Sequence, residues 1–330
     1  MKIYWYLGAE QFQPEVLVDQ AVKVEEAGFD GVAVSDHFHP WVDDEGASGF
    51  SWSTLGAMAA ATERLELMTA VVTPLWHLHP AVVAQAAATV DRLSGGRFAL
   101  GVGTGRNEGM LGYPYPPYAE RAARMGEALD IMRRLLDDVK LDYDGKYYQT
   151  KGARLYSPPV SRVPIYMSAG GPKSARLAAA QSDGVIDSAK SVEKDLEQVV
   201  GPARDESDGG TKVITLHWTV RGETDAEAWK ALEPWRGLRA PNRDIITDPA
   251  ELRRAADALP REQILAQYTR VRTAEDYVRV YGELARGLKP DILVVQTTSV
   301  DQPGTIEMVG REVVPELRKI AHEAVKGGRP

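Results

Sequence analysis

Cysteine is absent from the 330-residue sequence, and so is any run of eighteen apolar residues. Without cysteine, neither disulfide bonds nor thiolate metal sites can form, and we expect no metal site. Without a long apolar run, no transmembrane helix is predicted. The apolar segment that follows Met1 and Lys2 is too short for a secretory signal, so we expect a cytoplasmic protein.

The sequence also has fewer basic than acidic residues. It contains 39 lysines and arginines and 47 aspartates and glutamates, which gives a net charge of −8. Binding to nucleic-acid phosphates requires a basic surface, so we expect no nucleic-acid partner. What the sequence does have is an ordinary globular composition, 44% hydrophobic and 26% charged. The chain is long enough to bury a large core.

Short apolar runs alternate with helical segments along the chain. Such runs, when turn residues bound them, are typical of buried parallel strands. Eight are predicted, at residues 3–7, 31–34, 65–73, 97–103, 163–167, 184–186, 212–220 and 291–295. Eight strands with helices between them favour a (β/α)8 TIM barrel, built as a single domain over residues 1–330. An open doubly wound sheet is the alternative, but no Gly-x-Gly-x-x-Gly loop follows the first strand.

Two insertions interrupt the predicted alternation, after strands four and seven. The first contains an irregular segment at 109–118, a helix at 119–138 and a hairpin with an Asp-Gly turn at 142–148. The second is a polar helical segment at about 225–270. Further helices are predicted at 17–27, 53–62, 80–93 and 304–325, and one begins at Lys173.

The segment after the second predicted strand carries the strongest chemical signal. Asp36, His37, His39 and Trp41 lie within six residues of one another. Imidazole is the side chain best suited to move protons near neutral pH, and a neighbouring carboxylate can orient it. The alternative is structural, with Asp36 as a helix cap, two surface histidines and a packed tryptophan.

Further residues that could build a site follow the remaining predicted strands. Because the carboxyl ends of barrel strands converge on one mouth, we expect these residues to meet there. They are Glu10, Ala70, Val71, Thr104, Gly105, Asn107, Glu108, Ser168, Ala169, Gly170, Gly171 and Lys190. Two of these segments are glycine-rich turns, at Thr104 and Gly105 and at Gly170 and Gly171. The second turn, before Pro172 and Lys173, is the better candidate for a phosphate site, since backbone N–H groups at a helix start bind anions. The alternatives are a simple turn, a solvated Glu10, and helix caps at Thr104 and Asn107.

Several segments together resemble the deazaflavin-dependent branch of the luciferase-like flavin oxidoreductases, and within it the coenzyme F420-dependent glucose-6-phosphate dehydrogenase group. The segments are residues 9–12, 35–41, 73–74, 79–81, 101–105 and 169–172, with further similarity at 143–148 and 255–260. The resemblance covers nearly the whole chain. Its specific part is the His-Phe-x-Pro-Trp sequence preceded by Asp36.

The resemblance implies a (β/α)8 homodimer that binds coenzyme F420 at the strand ends and a small-molecule substrate beside it. Hydride would pass between a substrate alcohol carbon and C5 of the deazaflavin. His37 would accept the proton or orient the substrate, while Trp41 and Glu10 frame the intermediate. The residues implied for cofactor binding are Asp36, Ala70 and Val71 (through a bulge with a cis peptide bond), Thr104, Gly105, Asn107, Ser168, Ala169, Gly170 and Gly171.

Departures from the family pattern concern the substrate. Arg106 stands where the family places a catalytic acid, and the next acid is Glu108, which could instead pair with the family's asparagine. Of three cations in the family's phosphate pocket, Lys190 and Arg243 are retained, whereas the third position is Gln267. A sugar 6-phosphate such as glucose 6-phosphate is the favoured substrate, and a secondary alcohol or ketone is the alternative. An FMN-dependent monooxygenase and a non-catalytic cofactor-binding protein are further alternatives.

Overall fold

The structure of the protein, a computed structural model, describes residues 1–105, 108–113 and 115–326. The predicted site residues Arg106 and Asn107 lie outside the described residues. The described strands are β1 Lys2–Leu7, β2 Gly31–Val34, β3 Glu66–Thr69, β4 Phe98–Val102, β5 Leu141–Asp144, β6 Gln149–Ala153, β7 Ile165–Ala169, β8 Gly184–Ser188, β9 Lys212–Arg221, β10 Thr269–Val271 and β11 Ile292–Thr298.

Eight parallel strands close into a barrel in the order β1, β2, β3, β4, β7, β8, β9, β11, and β11 pairs back onto β1. The predicted TIM barrel is therefore confirmed. β5 and β6 form an antiparallel hairpin in the insertion after β4, with Gly145 in its turn. The short β10 extends the barrel sheet beside β9, so the end of the segment predicted as helical at 225–270 is a strand. A three-residue strand is too short for periodicity to detect.

Helices connect the strands on the outside of the barrel. They are α1 Pro14–Glu26, α2 Ser51–Ala61, α3 Pro80–Ser94, α4 Tyr118–Leu136, α5 Pro172–Gln181, α6 Val192–Asp195, α7 Gly201–Glu206, α8 Asp225–Leu232, α9 Pro249–Asp257, α10 Arg261–Leu265, α11 Ala274–Leu288, α12 Gln302–Met308 and α13 Val314–Lys326. A π turn joins α6 to α7, another joins α12 to α13, and 3₁₀ turns span Glu108–Leu111 and Glu233–Arg239. None of the described helices is long and apolar enough to cross a bilayer.

Several predicted element bounds were wrong for identifiable reasons. β7 begins at Ile165 rather than at 163, because Pro164 has no N–H for the ladder. β3 ends at Thr69, well before residue 73, and beyond it Val72 forms an isolated bridge to Val102. Helix α11 was not placed at all, although Tyr277, Tyr281 and Leu288 recur at helical spacing and are buried.

Three clusters of apolar side chains hold the fold together. One fills the barrel interior, where Tyr4, Met68 and Ile214 are buried, and a larger one lies between the barrel and its helices. A third lies under the insertion after β9, around Trp229 and Trp235. Successive side chains of a strand point to opposite faces, and this alternation separates the first two clusters. In β1, Tyr4 belongs to the interior cluster, whereas its neighbours Ile3 and Trp5 belong to the outer one.

Candidate functional site at the barrel mouth

A cleft of about 790 Å³ opens at the carboxyl ends of the barrel strands. Its volume lies within the range of small-molecule sites. Nine of the residues predicted from the sequence line it: His37, Trp41, Val71, Thr104, Gly105, Ser168, Ala169, Gly170 and Gly171. The structure therefore brings the predicted imidazole and the predicted glycine turn into one cavity. Asp36 and His37 also line an adjoining cavity of about 540 Å³.

Glu10 and His37 form a carboxylate–imidazole pair at this mouth. His37 Nε2 lies 3.3 Å from Glu10 Oε1, and the Glu10 side chain is only 2% exposed. The second carboxylate oxygen of Glu10 accepts a hydrogen bond from the Ser35 hydroxyl, which in turn accepts the Ala9 N–H at 2.9 Å. Because these groups come from the ends of β1 and β2, which are paired in the barrel, the pair is held by the sheet itself.

Trp41 limits the movement of the imidazole. The two rings meet edge to face, with centroids 5.2 Å apart and an angle of 68° between their planes. The backbone of Trp41 is packed against the insertion, where a Cβ added at Gly237 would lie 1.9 Å from the Trp41 carbonyl oxygen. Only glycine permits this approach. The insertion after β9 therefore fixes one wall of the site.

Asp36 is held by the start of α2, since Ser51 Oγ donates to Asp36 Oδ1 at 2.7 Å. Ala70 and Val71 follow the neighbouring strand β3, and their cis peptide bond is the one that the resemblance implied. A Cβ on Gly103 would lie 2.6 Å from Val71 Cγ2, so β4 can approach this bend only with glycine at that position. Val71 thereby forms an apolar wall of the cleft.

The glycine turn before α5 leaves room for a ligand. A Cβ added at Gly170 or Gly171 would meet no atom within 4 Å. Both backbone N–H groups point to the Ser174 hydroxyl, at 3.2 and 3.3 Å, and that hydroxyl donates to the Gly171 carbonyl. Long bonds to a hydroxyl at a helix start are easily replaced by bonds to an anion.

Sequence reasoning missed one of the two cations at this cleft, Arg121. Arg121, on α4, and Lys173, on α5, both line it. Lys173 was noted only as an added charge beside the glycine turn. Arg121 carries no local sequence signal, because its approach depends on how α4 packs across the barrel.

The predicted substrate residues lie elsewhere on the mouth. Lys190, Arg243 and Gln267 do not line the 790 Å³ cleft. The Gln267 amide is exposed and donates to the Gln263 carbonyl at 3.1 Å, whereas the Arg243 guanidinium donates to the Leu238 carbonyl. Glu108 begins a 3₁₀ turn.

A chain of contacts links the Lys190 loop to the insertion. The His217 imidazole joins the Ala189 carbonyl and the Thr269 hydroxyl, each at 3.0 Å, and burial lowers its pKa. Next along the chain, Tyr268 packs under the Arg239 guanidinium, 4.4 Å from the ring centroid. Burial raises the pKa of Tyr268, and the positive charges of Arg239 and Arg243 partly offset that effect.

Asp187, on β8, is a buried carboxyl group whose raised pKa can be tested. Its side chain is 1% exposed, and burial raises its pKa to about 7, with a further contribution from the Asp195 carboxylate. Because this pKa is above the unfolded value of about 3.9, the folded protein binds the extra proton between these two values, and stability is lost as the pH rises from about 4 to about 7.

Replacing Asp187 with Asn should therefore remove this loss. The stability advantage of the variant over the wild type should be about 2–3 kcal/mol larger at pH 8 than at pH 5, since each pH unit below the raised pKa is worth ~1.4 kcal/mol. Urea unfolding at the two pH values measures it. Asp205→Asn, at an exposed position, is the matched control, and equal pH dependence in both variants would contradict the prediction.

The chain matches the luciferase-like monooxygenase family over residues 1–298. It is 38% identical to the F420-dependent glucose-6-phosphate dehydrogenase of Mycolicibacterium smegmatis, over 97% of this chain and 99% of the relative. It is 40% identical to the enzyme of the same name from Nocardia farcinica, over 95% and 97%.

Among solved structures, the chain resembles an F420-dependent secondary alcohol dehydrogenase in complex with an F420–acetone adduct, with a TM-score of 0.88 and 27% identity over 96% of this chain and 99% of that one. The coenzyme F420-dependent tetrahydromethanopterin reductase of Methanopyrus kandleri shares the fold, with a TM-score of 0.76 and 20% identity over 96% and 99%. These matches confirm the resemblance that the motifs indicated. The chain belongs to the luciferase-like monooxygenase family.

Proposed function

We propose that the protein is a coenzyme F420-dependent oxidoreductase that transfers hydride between a substrate alcohol carbon and C5 of the deazaflavin. The observation that carries the proposal is the single cleft that is lined both by His37, which is paired with the buried Glu10, and by the open turn at Gly170 and Gly171. Both relatives are F420-dependent dehydrogenases, which supports the cofactor, and they align with this chain along nearly their whole length.

The residues of the cleft fit such a cofactor. Val71 and Trp41 offer apolar surface for a flat ring, and the space in front of Gly170 and Gly171 accepts a phosphate. Asp36, Ala70, Thr104, Gly105, Asn107, Ser168 and Ala169 complete the proposed binding set. The bound deazaflavin supplies the two-electron hydride acceptor or donor.

His37 moves the proton that accompanies the hydride. When an alcohol is oxidised, its carbinol carbon loses hydride and its hydroxyl loses a proton, which the His37 imidazole accepts. The Glu10 carboxylate, 3.3 Å from Nε2, stabilises the resulting imidazolium. Trp41 restrains the ring, so the imidazole keeps one orientation toward the substrate. In the reverse reaction the imidazolium returns the proton to the carbonyl oxygen.

A sugar 6-phosphate such as glucose 6-phosphate is the proposed substrate. The loop that carries Lys190 contacts His217 through the Ala189 carbonyl, His217 contacts the Thr269 hydroxyl, and the neighbouring Tyr268 packs under Arg239. Arg239 thus adds positive charge close to the position where Gln267 has none. Arg106 and Glu108 belong to the same proposal as substrate-side groups, and we propose a single-domain, cytoplasmic homodimer.

A secondary alcohol is the second candidate, favoured by the likeness to the alcohol dehydrogenase structure. Reduction of F420, followed by its absorbance across sugar phosphates and secondary alcohols, tests both candidates. Oxygen consumption with reduced FMN would favour a monooxygenase instead. Tight F420 binding without turnover on any substrate would favour a non-catalytic protein.

Replacing Lys190 with Ala separates the two substrate classes. If the substrate is a sugar phosphate, the KM for it should rise about 10- to 100-fold, because a hydrogen bond to a charged group contributes roughly 1.5–3 kcal/mol. The KM for a secondary alcohol should change less than twofold. Lys194→Ala, at another exposed lysine of the same segment, should leave both constants unchanged. A Lys190→Ala variant with an unchanged sugar-phosphate KM would contradict the proposed phosphate site.

A further inference from the structure

We infer that Arg121 binds the anionic side chain of the cofactor and sets the protein's preference for deazaflavins that carry a phosphodiester. This inference rests on the proposed function and adds a residue that neither the motifs nor the comparisons assign. Arg121 lies in the first turn of α4, and the residue lines the cleft together with Gly170 and Gly171.

The Arg121 guanidinium is held in a fixed position. Its Nη1 donates to Thr104 Oγ1 at 2.9 Å, and its Nε donates to the Pro116 carbonyl at 3.1 Å. The guanidinium also lies over the Tyr115 ring, 4.2 Å from its centroid. Two hydrogen bonds and a stacking contact remove most of the rotamer freedom that an exposed arginine would lose on binding a ligand.

Among the described residues, no side chain neutralises the charge of Arg121. Within the part of the chain that the structure describes, no carboxylate forms an ion pair with it, and its Nη2 donates to no protein group. Arg124, one helical turn away, differs from Arg121 in having an acidic partner, because its guanidinium donates to Glu120 Oε1 at 2.9 and 3.0 Å. An oriented guanidinium that lines a cleft and lacks an acidic partner is suited to bind an anion.

The other groups that line the cleft indicate which anion Arg121 would bind. The N–H groups of Gly170 and Gly171 and the exposed Lys173 ammonium line the same cleft. A phosphodiester between the turn and Arg121 would receive hydrogen bonds from both sides. A deazariboflavin without phosphate has no charge at that position, so it should gain nothing from Arg121.

Two probes and three variants test this inference. F420 and its phosphate-free deazariboflavin core are each titrated against the protein, and the dissociation constants are read from the deazaflavin fluorescence. Arg121→Gln keeps a side chain that can donate to Thr104 but removes the charge. We expect its Kd for F420 to rise about 10- to 30-fold, and its Kd for the core to change less than twofold. Arg121→Lys should fall between the wild type and Arg121→Gln for F420, and Arg124→Gln should match the wild type for both probes.

The salt dependence gives a second readout that a structural role would not change. The loss of F420 affinity with added salt should be shallower in Arg121→Gln, because one charge interaction has been removed. If the Kd values of both probes rise equally, Arg121 only supports the fold of the cleft and the inference is wrong. Unchanged F420 affinity in Arg121→Gln would also overturn it while leaving the proposed function intact. Failure of the wild type to bind F420 at all would overturn both.

Discussion

Replacing His37 with Asn is expected to lower kcat for substrate oxidation about 100- to 10,000-fold, which is the usual contribution of a positioned general base. The amide has a similar size but cannot accept a proton at the pH of the reaction. Since Trp41 and Glu10 remain in place, F420 should still bind within about threefold of the wild-type affinity. Single-turnover reduction of F420 at saturating substrate measures the loss, and fluorescence titration measures the binding.

The neighbouring His39 provides the matched control. Its imidazole is on the same loop and contacts the Thr247 carbonyl at 3.3 Å, away from Glu10. His39→Asn should therefore keep kcat within about twofold of the wild type. If the His37 and His39 variants lost activity equally, the loop would matter only as structure and the proton would pass to another group.

The sequence was informative about the site where residues follow the ends of barrel strands. Buried parallel strands are apolar throughout, and their carboxyl ends meet at one mouth whatever the lengths of the connections. His37, Thr104 and Gly170 could therefore be placed in one cavity before their distances were known. Glu10 joined them for the same reason, because it follows β1, the strand that pairs with β2.

The contributions of the insertions could not be predicted in this way. Arg121 reaches the cleft from a segment that belongs to no barrel strand, and its approach depends on packing rather than on local pattern. Trp235 illustrates this dependence. Its indole Nε1 donates to Gln11 Oε1 at 2.8 Å, and a Cβ on Gly8 would lie 2.5 Å from its ring. Nothing near Gly8 in the sequence indicates a partner 227 positions further along the chain.

The insertion also fixes the site through one buried cation, Arg236. Its side chain is 4% exposed and bridges Asp44 at 2.6 Å and Asp257 at 2.7 Å, and it also donates to the Glu233 carbonyl at 2.8 Å. Asp44 belongs to the loop that carries Trp41. Because Gly237 packs directly on the Trp41 carbonyl, the ion pairs hold the insertion against the wall of the site.

Replacing Arg236 with Met should lower the free energy of unfolding by about 2–3 kcal/mol. This lies below the usual cost of breaking a buried ion pair, because both carboxylates are 43% exposed and stay partly hydrated. Arg253→Met is the control, since Arg253 contacts the same loop at Asp43, 2.6 Å away, but is 31% exposed. A surface pair of this kind contributes less than about 1 kcal/mol.

Urea unfolding, followed by tryptophan fluorescence, compares the two variants. Loss of Arg236 should also reduce kcat/KM under conditions where the variant is still folded, because Trp41 no longer restrains the His37 ring. The Arg253 variant should keep its activity, since the ion pairs of Arg253 with Asp43, Asp44 and Asp257 are more exposed to solvent than those of Arg236 and stabilise the insertion less. Equal destabilisation by both substitutions would mean that burial of Arg236 adds nothing, and that the insertion is held by its apolar cluster alone.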